Sequence, residues 1–115
     1  MVTGQSSPGD TPVRIVTVFR SRLRHGVDDE YAAVASQMSE LARQMSGFVD
    51  EAFYESADGE RVTIVRFVDW ASHRAWAEHV EHRLAQRRGR EEFYSWYDIS
   101  VCEESYGHRF EGGAS

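Results

Sequence analysis

Along this chain the spacing of apolar residues switches between a period of two and a period near 3.6, and the switches mark the elements. Val13, Ile15, Thr17 and Phe19 alternate with Arg14, Val16, Val18 and Arg20, which predicts a strand over Val13–Leu23. Both of its faces are partly apolar, so cover on both sides is expected. His25-Gly26 ends it. Val27-Asp28-Asp29-Glu30 then opens a helix, with Asp28 the expected N-cap and acids in the first turn. Tyr31, Val34, Met38, Leu41 and Met45 follow at helical spacing as one apolar stripe, and Gly47 is the expected C-terminal cap.

A period of two returns in Phe48–Ser56. Asp58-Gly59 reads as a hairpin turn, and Arg61–Val68 is a strand dense in β-branched residues that should pair antiparallel with the one before. Asp69 caps a second helix carrying Trp70, His73 and Trp76. A break near His79-Val80 leads into a further helical piece from Glu81 to Arg90. Tyr94–Ser105 is the last strand, with Trp96, Asp98, Ser100 and Cys102 on one face and Tyr97, Ile99 and Val101 on the other. Ala85 and Gly89 are small enough to let the helix approach the sheet. The order β-α-β-β-α-β predicts one α+β, ferredoxin-like domain over residues 12–110, with a four-stranded antiparallel sheet. Residues 1–11 and 111–115 are rich in Gly and small or polar residues, and disorder is expected there.

Helices on one side of such a sheet leave a second face carrying Val, Ile and aromatic residues. Exposed patches of that kind mark interfaces, so a homodimer packed sheet against sheet is expected. Ile99 and Val101, or the aromatic segment Tyr106–Phe110, are expected to cross the subunit boundary. A net charge of −6 argues against nucleic acid as a partner, because that affinity comes from neutralising phosphates. No apolar run approaches a membrane span, and the first residues show neither the basic start nor the apolar stretch of a signal peptide. The single cysteine, Cys102, cannot form an internal disulfide; it reads as a packed thiol and makes the cytoplasm the expected compartment.

The element order, the helix end MSGFV and the run FVDWASHRAWAEHVEHRLAQRRGR (Phe67–Arg90) resemble the antibiotic biosynthesis monooxygenase (ABM) family of dimeric α+β barrels. The resemblance spans residues 13–105. It implies a barrel formed by two sheets and a pocket between sheet and helices in each subunit. Known members include cofactor-free oxygenases of aromatic polyketides and haem-degrading monooxygenases. The haem-degrading branch uses an Asn on the first strand, a Trp on the second helix and a haem-ligating His further on. Trp76 matches the Trp; the other two positions fall on Phe19 and Gln86, so haem is disfavoured. In the cofactor-free branch a deprotonated phenol or anthrone can itself donate an electron to oxygen. The protein then supplies a pocket, a base and stabilisation of the anion.

Trp76, His79 and His82 are therefore the candidate catalytic residues. Phe19, Tyr54, Arg66, His73 and Trp96 are the candidate substrate contacts, of which Tyr54, Arg66 and Trp96 come from their residue types rather than from the family. Each has a plainer reading. Trp76 with His73 can be core packing, and His79 and His82 can sit at a helix junction. Arg66 lies mid-strand beside Val62 and Ile64, where a charge is unfavourable unless paired, so an ion pair with Asp50 or Glu51 competes with anion binding. Arg83, Arg87, Arg88 and Arg90 read as a solvated face supported by Glu91 and Glu92. His79 and His82 fall short of a metal ligand set, and no metal is expected. The function implied is cofactor-independent monooxygenation of a small phenolic or quinone-like aromatic. A haem-binding relative and a non-catalytic ligand-binding domain are the alternatives.

Overall fold

The computed structural model describes residues 12–113; the segment 1–11 and the last two residues, for which disorder is expected, lie outside them. Residues 111–113 are exposed and carry no helix or strand. The elements are β1 (Ile15–Leu23), α1 (Asp28–Gln44), β2 (Phe48–Glu55), β3 (Arg61–Phe67), α2 (Trp70–Ala77), α3 (Val80–Arg88) and β4 (Tyr94–Glu103), with one wide helical turn at Gly89–Phe93 before β4. The strands form one antiparallel sheet in the order β2-β3-β1-β4. This is the ferredoxin-like arrangement that the element order predicts, with the helical half of the second crossover broken at Glu78-His79.

Local chemistry places the helix ends. The Asp69 side chain accepts from the Ser72 backbone N–H and starts α2. His79 starts α3 in the same way, its Nδ1 accepting from the Glu81 N–H at 3.1 Å. Two expected caps on α1 are corrected. Asp28 is the first helical residue; Val27 precedes it without a side-chain bond, and the acids act through the helix dipole instead. Gly47 lies beyond the helix end at Met45, with φ +86° in the turn into β2. A Cβ there would stand 2.4 Å from Ser72 Cβ, so this glycine lets the turn touch α2.

Ala42, Phe67 and Trp76 form the buried centre, and Met38, Leu41, Met45, Phe48 and Val65 pack against it. The α1 stripe thus meets the helix-side positions of β2 and β3. On β1 those positions are Ile15, Thr17, Phe19 and Ser21; on β4 they are Tyr97, Ile99 and Val101. The opposite face carries half-buried Val16, Val18, Val62 and Ile64, flanked by Tyr54, Arg66 and Trp96, and no helix covers it. The expectation that β1 is covered on both sides is not met within one chain.

Candidate functional site

Between the sheet and the helices lies a cavity of about 330 Å³. Every second residue of the strands faces it: Phe19 on β1, Thr63 and Val65 on β3, and Tyr97, Ile99 and Val101 on β4. Tyr31 and Met38 line it from α1, Trp76 from α2, and His82 and Gln86 from α3. Its floor is aromatic. Phe19 stacks on Tyr97 at 5.3 Å, and Tyr94 packs against both. Tyr94 donates its hydroxyl proton to the Tyr31 oxygen at 3.1 Å. Burial first, then Tyr31, pushes the Tyr94 hydroxyl well above the usual phenol range, so it stays protonated and acts only as a neutral group. Gly89 makes room for this ring, because a Cβ would come within 2.6 Å of it.

Trp76 is 8% exposed and forms part of the wall. The His82 ring lies nearly parallel to it, with centroids 4.2 Å apart. Burial lowers the His82 pKa, and the backbone at Trp76 and Ala77 opposes this only in part, so the imidazole is neutral at neutral pH. His73, also on the wall, is lowered by burial and then by Arg74. Nδ1 of both histidines is buried without a hydrogen-bond partner. A polar atom in that condition is unfavourable by about 1–3 kcal/mol.

Of the residues singled out in the sequence, the structure brings Phe19, His73, Trp76 and His82 to this cavity. His79 is corrected: it caps α3 and its ring stands 6.3 Å from Trp76, off the cavity wall. Arg66 and Trp96 are corrected too, because their strand positions point to the helix-free face. Arg66 grips Asp50 with two bonds, Nε–Oδ1 being 2.8 Å, and reaches Glu104 at 3.5 Å. The Asp50 carboxyl is correspondingly held below the usual range, chiefly by that hydrogen bond. Arg20 covers the Trp96 ring at 5.8 Å.

Tyr54 is misplaced for a different reason. The β2–β3 register shifts between Phe48 and Asp50, so Phe48 faces Phe67 while Glu51 faces Val65. This bulge inverts the alternation along β2. It turns Tyr54 outward, 63% exposed, and brings Glu51 to the cavity. Glu51, Tyr31, Tyr94 and Tyr97 are the wall residues that sequence reasoning missed as site residues. Tyr31 begins the α1 stripe and Tyr97 alternates with Trp96, so their faces were legible while their role was not. Cys102 is exposed rather than packed. Among the described residues, no group of three or more His, Cys, Asp or Glu side chains is placed to hold a metal ion, and no helix is long and apolar enough to cross a membrane.

Similar architecture occurs in solved structures of low sequence identity. SnoaB of Streptomyces nogalater, a cofactor-independent oxygenase seen in a mutant form, matches with a TM-score of 0.70 at 17% identity, over 82% of this chain and 95% of its own. A candidate antibiotic biosynthesis monooxygenase from Nitrosomonas europaea matches with a TM-score of 0.71 at 11% identity, over 84% and 94%. The chain has the fold of the antibiotic biosynthesis monooxygenases. A conserved protein of Methanosarcina mazei Go1 matches equally well, with a TM-score of 0.72 at 12% identity, over 81% and 94%. No family model matches the sequence. A Bacillus subtilis protein, YqjZ, uncharacterized, is 28% identical over 86 residues, 75% of each chain. Phe19 and Gln86, the two positions that weigh against haem in the sequence resemblance, both face the cavity.

Proposed function

We propose that this protein is an ABM-family homodimer that oxygenates a small phenolic aromatic without a cofactor. The observation that carries the reading is the Trp76–His82 stack on the wall of an aromatic cavity. A flat substrate would lie against the indole and the Phe19–Tyr97 pair. Its hydroxyl proton would pass to neutral His82, which is the base. The resulting phenolate gives one electron to oxygen, and radical recombination forms a carbon–oxygen bond. For an anthrone, loss of water then leaves the quinone: substrate plus O₂ gives quinone plus water, with no external reductant.

The helix-free sheet face supports the dimer, since Val16, Val18, Val62 and Ile64 lie there without a covering layer. The low cysteine content favours the cytoplasm. A dedicated haem reading gains no support from Phe19 and Gln86. The test of the enzyme is oxygen uptake with a panel of anthrones and hydroquinones. Uptake above the buffer rate, falling at least roughly tenfold in His82→Gln, is the expected result. For the dimer, light scattering at micromolar concentration is expected to give twice the chain mass; a monomer mass contradicts it.

A further inference from the structure

Among the described residues Glu51 is the only acid on the cavity wall, and it occupies that place because of the bulge at the start of β2. Its surroundings are arranged unevenly. The Ser39 hydroxyl donates to Oε1 at 2.5 Å, and Arg43 Nη2 stands 3.6 Å from the same oxygen. Among the described residues Oε2 has no hydrogen-bond partner. The side chain is 17% exposed, while Arg43 is 63% exposed and its charge is largely screened by water. Across the strand Glu51 faces Val65, and the wall beyond is mostly apolar and aromatic.

A carboxylate accepts hydrogen bonds and donates none. In an apolar cavity its second oxygen is favourably placed only if something donates to it. A ligand that shields this oxygen from solvent must therefore supply the bond itself. We infer that Glu51 is a specificity-determining residue that selects uncharged aromatics carrying a hydroxyl donor and rejects aromatic carboxylates. This rests on the proposed function for the location of the site, and it narrows the substrate class. A pocket built to bond a hydroxyl discriminates against the analogue lacking it far more strongly than an apolar pocket separates ligands by size. An aromatic acid would in addition bring a like charge against Oε2.

Calorimetric titration with 2-naphthol, 2-methoxynaphthalene and 2-naphthoate separates these effects, because the three share one ring system. The wild-type protein is expected to bind 2-naphthol at least roughly tenfold tighter than either of the others. Glu51→Gln keeps the shape and the Ser39 contact but removes the charge. It is expected to shrink the naphthol-to-naphthoate ratio roughly tenfold, mostly by improving naphthoate. Ser39→Ala, which frees Oε1 without touching the charge, is expected to keep naphthoate excluded. The wild-type series needs no variant to fold. Absent naphthol binding, equal affinity for the three probes, a preference for naphthoate, or an unchanged ratio in a folded Glu51→Gln protein overturns the assignment. Oxygen uptake distinguishes it from the reading on which it rests. The expected preferences without any uptake would remove the oxygenase and keep the specificity, while uptake with probe-independent binding would do the reverse.

Discussion

Replacing Trp76 by Ala separates the core contribution of this side chain from its role as a wall. Truncating a buried Trp to Ala destabilises by about 3–5 kcal/mol, through lost transfer free energy plus the hole left behind. Trp76 is 8% exposed and packs on Ala42 and Phe67, but one side borders existing cavity, where atoms already lack partners. The low end, about 3 kcal/mol, is therefore expected. A domain of this size unfolds with an entropy of about 0.2 kcal/mol per kelvin, so that loss corresponds to roughly 12–15 °C of unfolding midpoint. Trp70→Ala is the matched control. Trp70 is 38% exposed and its main polar contact is a 2.7 Å bond to Glu103, so about 1 kcal/mol is expected. Circular dichroism melts of the two variants decide the matter. Equal midpoints, or a larger drop for Trp70→Ala, would refute the placement of Trp76 in the core. Trp76→Phe should lose much less stability, because the volume change is moderate, while still reducing turnover.

Further expectations follow from the same geometry. His82 and His73 have folded pKa values lowered by burial, so the unfolded chain takes up protons that the folded one refuses as the pH falls below about 6.5. Stability is full above that point and is lost on acidification, by at most about 1.4 kcal/mol per pH unit per histidine. Urea titrations between pH 7.5 and 5 should show a shallower slope in His82→Gln, and an identical slope would contradict its burial. Arg66→Leu, on the far side of the sheet, should leave binding in the cavity unchanged, because its partners Asp50 and Glu104 lie on that face too; weakened aromatic binding at constant oligomeric state would contradict this. Gly47→Ala should destabilise more than Gly26→Ala in thermal melts. Both have positive φ, but only at Gly47 does a Cβ run into Ser72.

The chemistry of this chain is less legible in its sequence than its fold. Strong periodicities carried β1, α1, β3 and the order of elements, because side-chain period and backbone geometry are directly linked. The Trp76-bearing helix was recognisable by resemblance, and the break expected near His79-Val80 falls one residue earlier, at Glu78-His79. The site was only half legible. Which face a strand residue takes depends on an unbroken count, and the bulge after Phe48 resets it, exchanging Tyr54 for Glu51 at the cavity. Arg66 and Trp96 look functional as isolated residues, yet the sheet turns them away from the helices, where Asp50 and Arg20 engage them. His79 and His82 share a helical spacing, but a helix break lies at the first of them, so one caps and the other packs. The hydroxyl pair Tyr31–Tyr94 joins residues far apart in sequence, and no local signal connects them.

We propose that the helix–sheet cavity oxidises a phenolic aromatic with oxygen alone. The most direct test is an oxygen-electrode assay of metal- and flavin-free protein on 1,8-dihydroxyanthrone, with quinone formation followed in parallel. The expected result is enzyme-dependent uptake, one oxygen consumed per quinone formed, undiminished by chelator and lost in Trp76→Ala protein assayed below its melting range. Uptake no faster than the spontaneous oxidation in buffer, across the anthrones and hydroquinones alike, would contradict it.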